Sequence, residues 1–132
     1  MMAQMSENEQ IGNLDAIILA VSGGGMAVGI SIAAKSMNKN IKIILVEPIG
    51  KKLLDCLNAK KRKWEGPPNF LNTFAESIRF GQVGFQCFPI LCDYVDDVIT
   101  IKDEEMITGM RIVAERMKLG ISYLMCFDFQ LM

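Results

Sequence analysis

Short apolar runs and longer helix-like stretches take turns along this chain, each closed by glycine, proline or a polar cluster. Residues 16–21 form an apolar run of strand length, and residues 41–46 form a second, with Ile41, Ile43, Ile44, Leu45 and Val46 set to be buried on both faces of a parallel sheet. Between them, residues 26–37 have the composition of a helix. Ala27, Gly29, Ser31, Ala33 and Ala34 are small enough there to pack closely on a sheet. Glu47-Pro48 reads as the end of the second strand.

Further on, residues 51–59 predict a helix, and Gly66-Pro67-Pro68-Asn69 breaks the pattern. Residues 85–94 predict a short helix and residues 98–101 a third strand. Residues 103–119 give the clearest helix. Asp103, Glu104 and Glu105 sit in its first turn, Met106, Met110, Val113 and Met117 make an apolar stripe that reads as core, and Gly120 is a stop. Residues 6–12 read as the end of another helix. No internal repeat or low-complexity linker interrupts the order β-α-β-α-…-α-β-α. That order predicts an α/β fold on a parallel sheet with right-handed crossovers.

Length and composition narrow this picture. A chain of 132 residues is of single-domain size. Its hydrophobic fraction of 51% is at the upper end of the globular range, so apolar surface without a covering partner is an open expectation. No apolar stretch approaches the roughly 18 to 20 residues that span a bilayer. The polar, acidic residues 1–13 resemble neither a signal nor a transit peptide, so a cytoplasmic location and no membrane partner are expected. A net charge of −1 makes no case for nucleic acid, and Lys60-Lys61-Arg62-Lys63 reads as a solvated loop or helix end. Cys56, Cys87, Cys92 and Cys126 contain no CxxC pair and read as reduced thiols rather than a zinc site. The absence of histidine removes Ser-His and Cys-His nucleophilic machinery.

The chemistry-bearing feature is the junction Ser22-Gly23-Gly24-Gly25-Met26, between the first strand and the first helix. Glycines let the backbone turn sharply and bare its N–H groups, and the helix dipole points at the same spot. Such a junction holds an anion, usually a phosphate. Two ligands compete for it. A dinucleotide would place its ribose on Glu47, but the spacing Gly23-x-Gly25-x-x-x-Gly29 departs from G-x-G-x-x-G. The other ligand is the phosphate of pyridoxal 5′-phosphate.

The second reading rests on a resemblance. Leu14-Asp15-Ala16-Ile17, Ser22-Gly23-Gly24-Gly25-Met26, Gly29-Ile30 and Glu47-Pro48 resemble, in order, the large domain of the serine racemase and serine/threonine dehydratase family. These are fold-type II pyridoxal-phosphate enzymes of the tryptophan synthase β-like superfamily. Tyr94-Val95-Asp96-Asp97-Val98 and Glu115-Arg116-Met117-Lys118-Leu119 extend the likeness, and Phe74-Ala75-Glu76-Ser77-Ile78 stands where the family has an Ala-Asp-Gly segment. The resemblance implies a three-layer α/β fold: a mostly parallel twisted sheet with helices on both faces. It divides the chain into a lead-in (1–13), a partial cofactor-binding large domain (14–119) and a divergent apolar tail (120–132).

It also implies functions for named residues. Ser22, Gly23, Gly24, Gly25 and Met26 would supply N–H groups to the cofactor phosphate, with Ser22 replacing a family glycine. Glu47 and Asp55 would match the carboxylate ligands of a divalent cation, Mg²⁺ or Ca²⁺, although this chain carries extra residues between Pro48 and Asp55. The alternative for Glu47 is a strand-end acid facing solvent. Family chemistry is racemisation or α,β-elimination of small amino acids such as L-serine or L-threonine, using a lysine that holds the cofactor as a Schiff base. The Ser-Phe-Lys-like motif that carries this lysine is not found here, so no catalytic residue is assigned and the chain alone is expected to be inactive. A different class of reading is a non-catalytic interaction module, forming a dimer with itself or with a full-length homologue.

Overall fold

The computed structural model describes residues 14–118. Three strands, β1 (Ala16–Ala20), β2 (Lys42–Pro48) and β3 (Asp97–Ile101), lie in the order β1-β2-β3 and are all parallel. In register, Leu19 pairs with Leu45, and Leu45 with Val98. The helices are α1 (Gly25–Met37), α2 (Leu53–Asn58), α3 (Cys87–Tyr94) and α4 (Asp103–Ile112), with a 3₁₀ turn at Glu76–Ile78.

Alternation along the strands divides the core in two. Ile17, Leu19, Ile43, Leu45 and Val98 share one buried cluster with Ala27 and Ala34 of α1, Leu53 of α2, and Phe88 and Leu91 of α3. Ala20, Val46 and Ile101 form the other with Ile78 and with Met106 of α4. Neighbouring strand residues point to opposite faces, so helices cover both sides and the molecule has the three layers expected of it. Among the described residues no helix is long and apolar enough to cross a membrane. Cys56, Cys87 and Cys92 are free thiols.

Three elements differ from the sequence expectation. The second strand ends at Pro48 as expected, but it runs past Val46 to include Glu47 and Pro48, which pair with Thr100 and Ile101. The Val46 carbonyl accepts from Val21 N–H on the β1 side, and Ile49 N–H donates to Ile101 on the β3 side. Alternation therefore turns Pro48 toward the β1 side, beyond the last β1 pair at Val46, where its missing N–H breaks no ladder bond. The second helix is shorter than residues 51–59, because Lys52 is left-handed with φ 61° and the helix begins only at Leu53. The last helix widens into a π turn over Val113–Met117. Met106 and Val113 of its stripe are buried, but the changed pitch leaves Met117 45% exposed. The helix expected at 6–12, the lead-in 1–13, the stop at Gly120, Cys126 and the tail 120–132 lie outside the described residues.

Asp96 ties the layers together just before β3. Its carboxylate accepts from the Ile43 N–H at 2.7 Å and from the Lys35 ammonium of α1 at 2.7 Å, while its own N–H donates to the Ile43 carbonyl. Partial burial acts to raise its pKa, but the Lys35 and Ile43 hydrogen bonds outweigh this and hold the carboxyl below its ordinary value. Stability from a carboxylate with a depressed native pKa is fully present above its ordinary value and is lost as pH falls through the native one. Asp96→Ala is expected to cost about 1 kcal/mol near neutrality, since the group is partly solvated. In chemical denaturation, the gap to the unmodified chain should close on acidification below about pH 4.

Candidate functional site

The site is built where β1 hands over to α1. Val21 N–H still donates to Val46 at 3.0 Å, after which the backbone leaves the sheet. Gly24 carries the turn at φ 95°, and a Cβ there would stand 3.1 Å from the Cys87 Cβ of α3. Only glycine meets both demands. Ser22 is not among the residues with positive φ, so its side chain costs the turn nothing. The turn is pinned from outside by Gly84, whose N–H donates to the Gly23 carbonyl at 2.8 Å.

Helix α1 starts at Gly25, and Val28 N–H donates to the Gly24 carbonyl at 2.9 Å. Among the described residues, no protein acceptor takes the N–H groups of Ser22, Gly23, Gly24, Gly25 or Met26. No side chain caps the helix and no acid occupies its first turn. Gly23 and Gly25 face open space, with nothing within 4 Å of where a Cβ would stand. Unsatisfied donors, the positive end of a helix dipole and free approach together make an anion cradle. The five residues expected in it are brought together on a cavity of about 230 Å³, with Ser77 and Ile78 on its wall. Ser22 and Gly23 also line a larger neighbouring cleft of about 580 Å³.

Glu47 and Asp55 are placed differently from each other. Glu47 is buried rather than facing solvent. Its Oε2 accepts from Leu53 N–H at 2.8 Å, and its Oε1 from Leu54 N–H at 3.4 Å and from the Thr100 hydroxyl at 3.0 Å. It thus caps α2, whose own N-cap residue Lys52 makes no side-chain bond. Fully buried Lys51 lies alongside and donates to the Phe80 carbonyl. Burial pushes its pKa down to about 8, against the opposing pull of Glu47. Asp55 is exposed on α2. Among the described residues no group of three or more His, Cys, Asp and Glu could hold a metal ion. A carboxylate already satisfied by three donors, beside a lysine, does not fit a divalent cation.

The structure adds residues that periodicity does not reveal. Ser77 was visible only as a departure from Ala-Asp-Gly, yet it borders the cradle. Arg62, which reads in sequence as part of a solvated basic run, and Trp64 line the larger cleft. Long-range packing brings both there, so no local signal marks them.

A family model described as pyridoxal-phosphate dependent enzyme matches residues 1–123. The chain is 39% identical over 121 residues to serine racemase of Dictyostelium discoideum, covering 90% of this chain and 36% of that protein. It is 30% identical over 125 residues to L-threo-3-hydroxyaspartate ammonia-lyase of Saccharomyces cerevisiae, covering 92% of this chain and 36% of that one. A solved pyridoxal 5′-phosphate-dependent aspartate racemase superposes with a TM-score of 0.87 at 38% identity, over 92% of this chain and 37% of the racemase. The chain therefore spans just over a third of the length of the relatives it matches.

The two cradle glycines should separate in a denaturation experiment. Gly24→Ala forces a left-handed alanine against Cys87 and is expected to lose about 1–3 kcal/mol of stability. Gly23→Ala, in open space, should stay within about 1 kcal/mol of the unmodified chain.

Proposed function

We propose, from the premise that this chain belongs to the pyridoxal-phosphate dependent enzyme family, that its β1–α1 turn holds the phosphate of pyridoxal 5′-phosphate for chemistry on a small amino acid. The reading is carried by one observation: five consecutive backbone N–H groups, from Ser22 to Met26, have no protein acceptor among the described residues, and all five residues line one cavity. Ser22 adds a hydroxyl at the rim of the cradle. Ser77 offers another on the cavity wall. The α1 dipole favours the dianion without a counter-ion of its own.

When bound, the cofactor supplies an electron sink for charge developing at the amino acid's α-carbon. The residues of this chain hold and orient. Gly24 fixes the direction in which the N–H groups point, and the Gly84–Gly23 bond keeps the turn from opening. No lysine lines either cavity among the described residues, so this reading assigns the covalent anchor of the cofactor to none of them. The family resemblance favours racemisation or α,β-elimination of serine- or threonine-like substrates by the whole protein, with this stretch as its phosphate-binding part. A divalent cation at Glu47 and Asp55 is left out, because Glu47 is spent on α2.

A second reading concerns partners. The outer edges of β1 and β3 have no neighbouring strand among the described residues. Met26, beside the cradle, is 62% exposed and Phe85, beside the cleft, 80%. These features favour association with a second copy or a full-length homologue.

Trp64 is the chain's one tryptophan and lines the cleft beside the cradle, so its fluorescence reports ligand binding. Pyridoxal 5′-phosphate should quench it at a concentration at least about tenfold lower than pyridoxal, as expected for a phosphate accepting several charge-assisted bonds. Gly23→Ala should remove most of that advantage. Equal affinities for the two vitamers would contradict the cradle.

A further inference from the structure

One member of the basic run 60–63 is singled out by the fold. Arg62 is drawn over aromatic rings, its guanidinium carbon 5.0 Å from the Trp64 centroid, 4.7 Å from Phe85 and 5.9 Å from Phe88. Its Nη1 donates to the Val83 carbonyl at 2.7 Å and its Nη2 to Gln82 Oε1 at 3.3 Å. The Gln82 amide is oriented in turn by donating to the Gly66 and Pro67 carbonyls. The guanidinium is thus held in place entirely by neutral groups. Among the described residues it has no carboxylate partner.

The setting gives that arrangement a purpose. Among the described residues, Arg62 is the one charged side chain lining the cleft of about 580 Å³ that shares Ser22 and Gly23 with the cradle. This volume falls in the range of small-molecule sites. Its wall is joined to the turn through Gly84, next to the Val83 carbonyl that Arg62 binds. A guanidinium carries five N–H donors, and two are engaged here. A planar, immobilised fork with spare donors suits a carboxylate.

Phosphate already has the N–H groups of the turn. An α-carboxylate carries an ammonium on the adjoining carbon, and among the described residues the cleft lining has no acid to receive it, so the net attraction to Arg62 is weakened. A side-chain carboxylate stands farther from the ammonium. We propose that the Arg62 cleft is a specificity subsite for the side-chain carboxylate of a dicarboxylic amino acid. This assignment rests on the amino-acid reading of the site given above.

Trp64 fluorescence of the full chain tests it without cofactor, by titration with L-aspartate and with L-asparagine, which has the same shape but no second carboxylate. Aspartate should bind at least about tenfold more tightly, a margin of about 1.4 kcal/mol. Arg62→Lys, which keeps charge and stem but not the fork, should erase that margin while the melting temperature stays within about 3 °C. Equal binding of the two amino acids to the unmodified chain would overturn the proposal. So would an Arg62→Lys variant that keeps the preference for aspartate, or one that instead loses affinity for pyridoxal 5′-phosphate as its main effect, since Arg62 would then serve the cofactor phosphate. Failure of pyridoxal 5′-phosphate to bind the unmodified chain would speak against the cradle alone, because the aspartate titration does not use it.

Discussion

Everything at the functional end of this molecule depends on a close approach at Gly24. The backbone there is left-handed, and α3 comes so near that a single added carbon would stand 3.1 Å from Cys87. That contact lets the β1–α1 turn sit tight against α3, with Leu91 and Val83 closing the same gap. The turn leaves the N–H groups of residues 22–26 without a protein acceptor among the described residues, on the wall of one cavity. Loosening this one approach would cost both packing beneath the turn and donor alignment above it.

Around that point, charge is arranged in two distinct ways. At the carboxyl end of β2, Glu47 is consumed internally by α2 and Thr100, with Lys51 buried at its side. A family relationship would lead one to expect a cation there, but the local hydrogen bonds have already spent the carboxylate. In the cleft beside the cradle, Arg62 is immobilised by a carbonyl, an amide and aromatic faces, with no acid paired to it among the described residues. One charge is neutralised within the fold. The other has no ion-pair partner among the described residues.

The layers of this fold could be read from sequence because parallel strands and their covering helices leave strong local patterns. The apolar runs at 16–21 and 41–46 and the helix after the glycines are all found within a residue or two of their expected places. The glycine turn between β1 and α1 is equally legible, since its geometry is carried by backbone and glycine. What sequence could not disclose depends on distant partners. The extension of β2 through Pro48 requires knowing that β1 has already ended. Glu47 as a helix cap depends on the left-handed Lys52 that delays α2. Arg62 looked like one surface cation among several until Trp64, Phe85 and Phe88 gathered around it.

The central claim is that the backbone N–H groups of Ser22, Gly23, Gly24, Gly25 and Met26 are the ligands for a cofactor phosphate. The most direct measurement is a two-dimensional ¹H–¹⁵N NMR spectrum of the full chain titrated with pyridoxal 5′-phosphate, with the ³¹P resonance followed in the same samples. The account predicts that these five amides shift together and the phosphorus signal moves with them. Amides that stay fixed in the turn while the phosphate binds elsewhere, or a phosphorus signal unmoved at saturating protein, would contradict it.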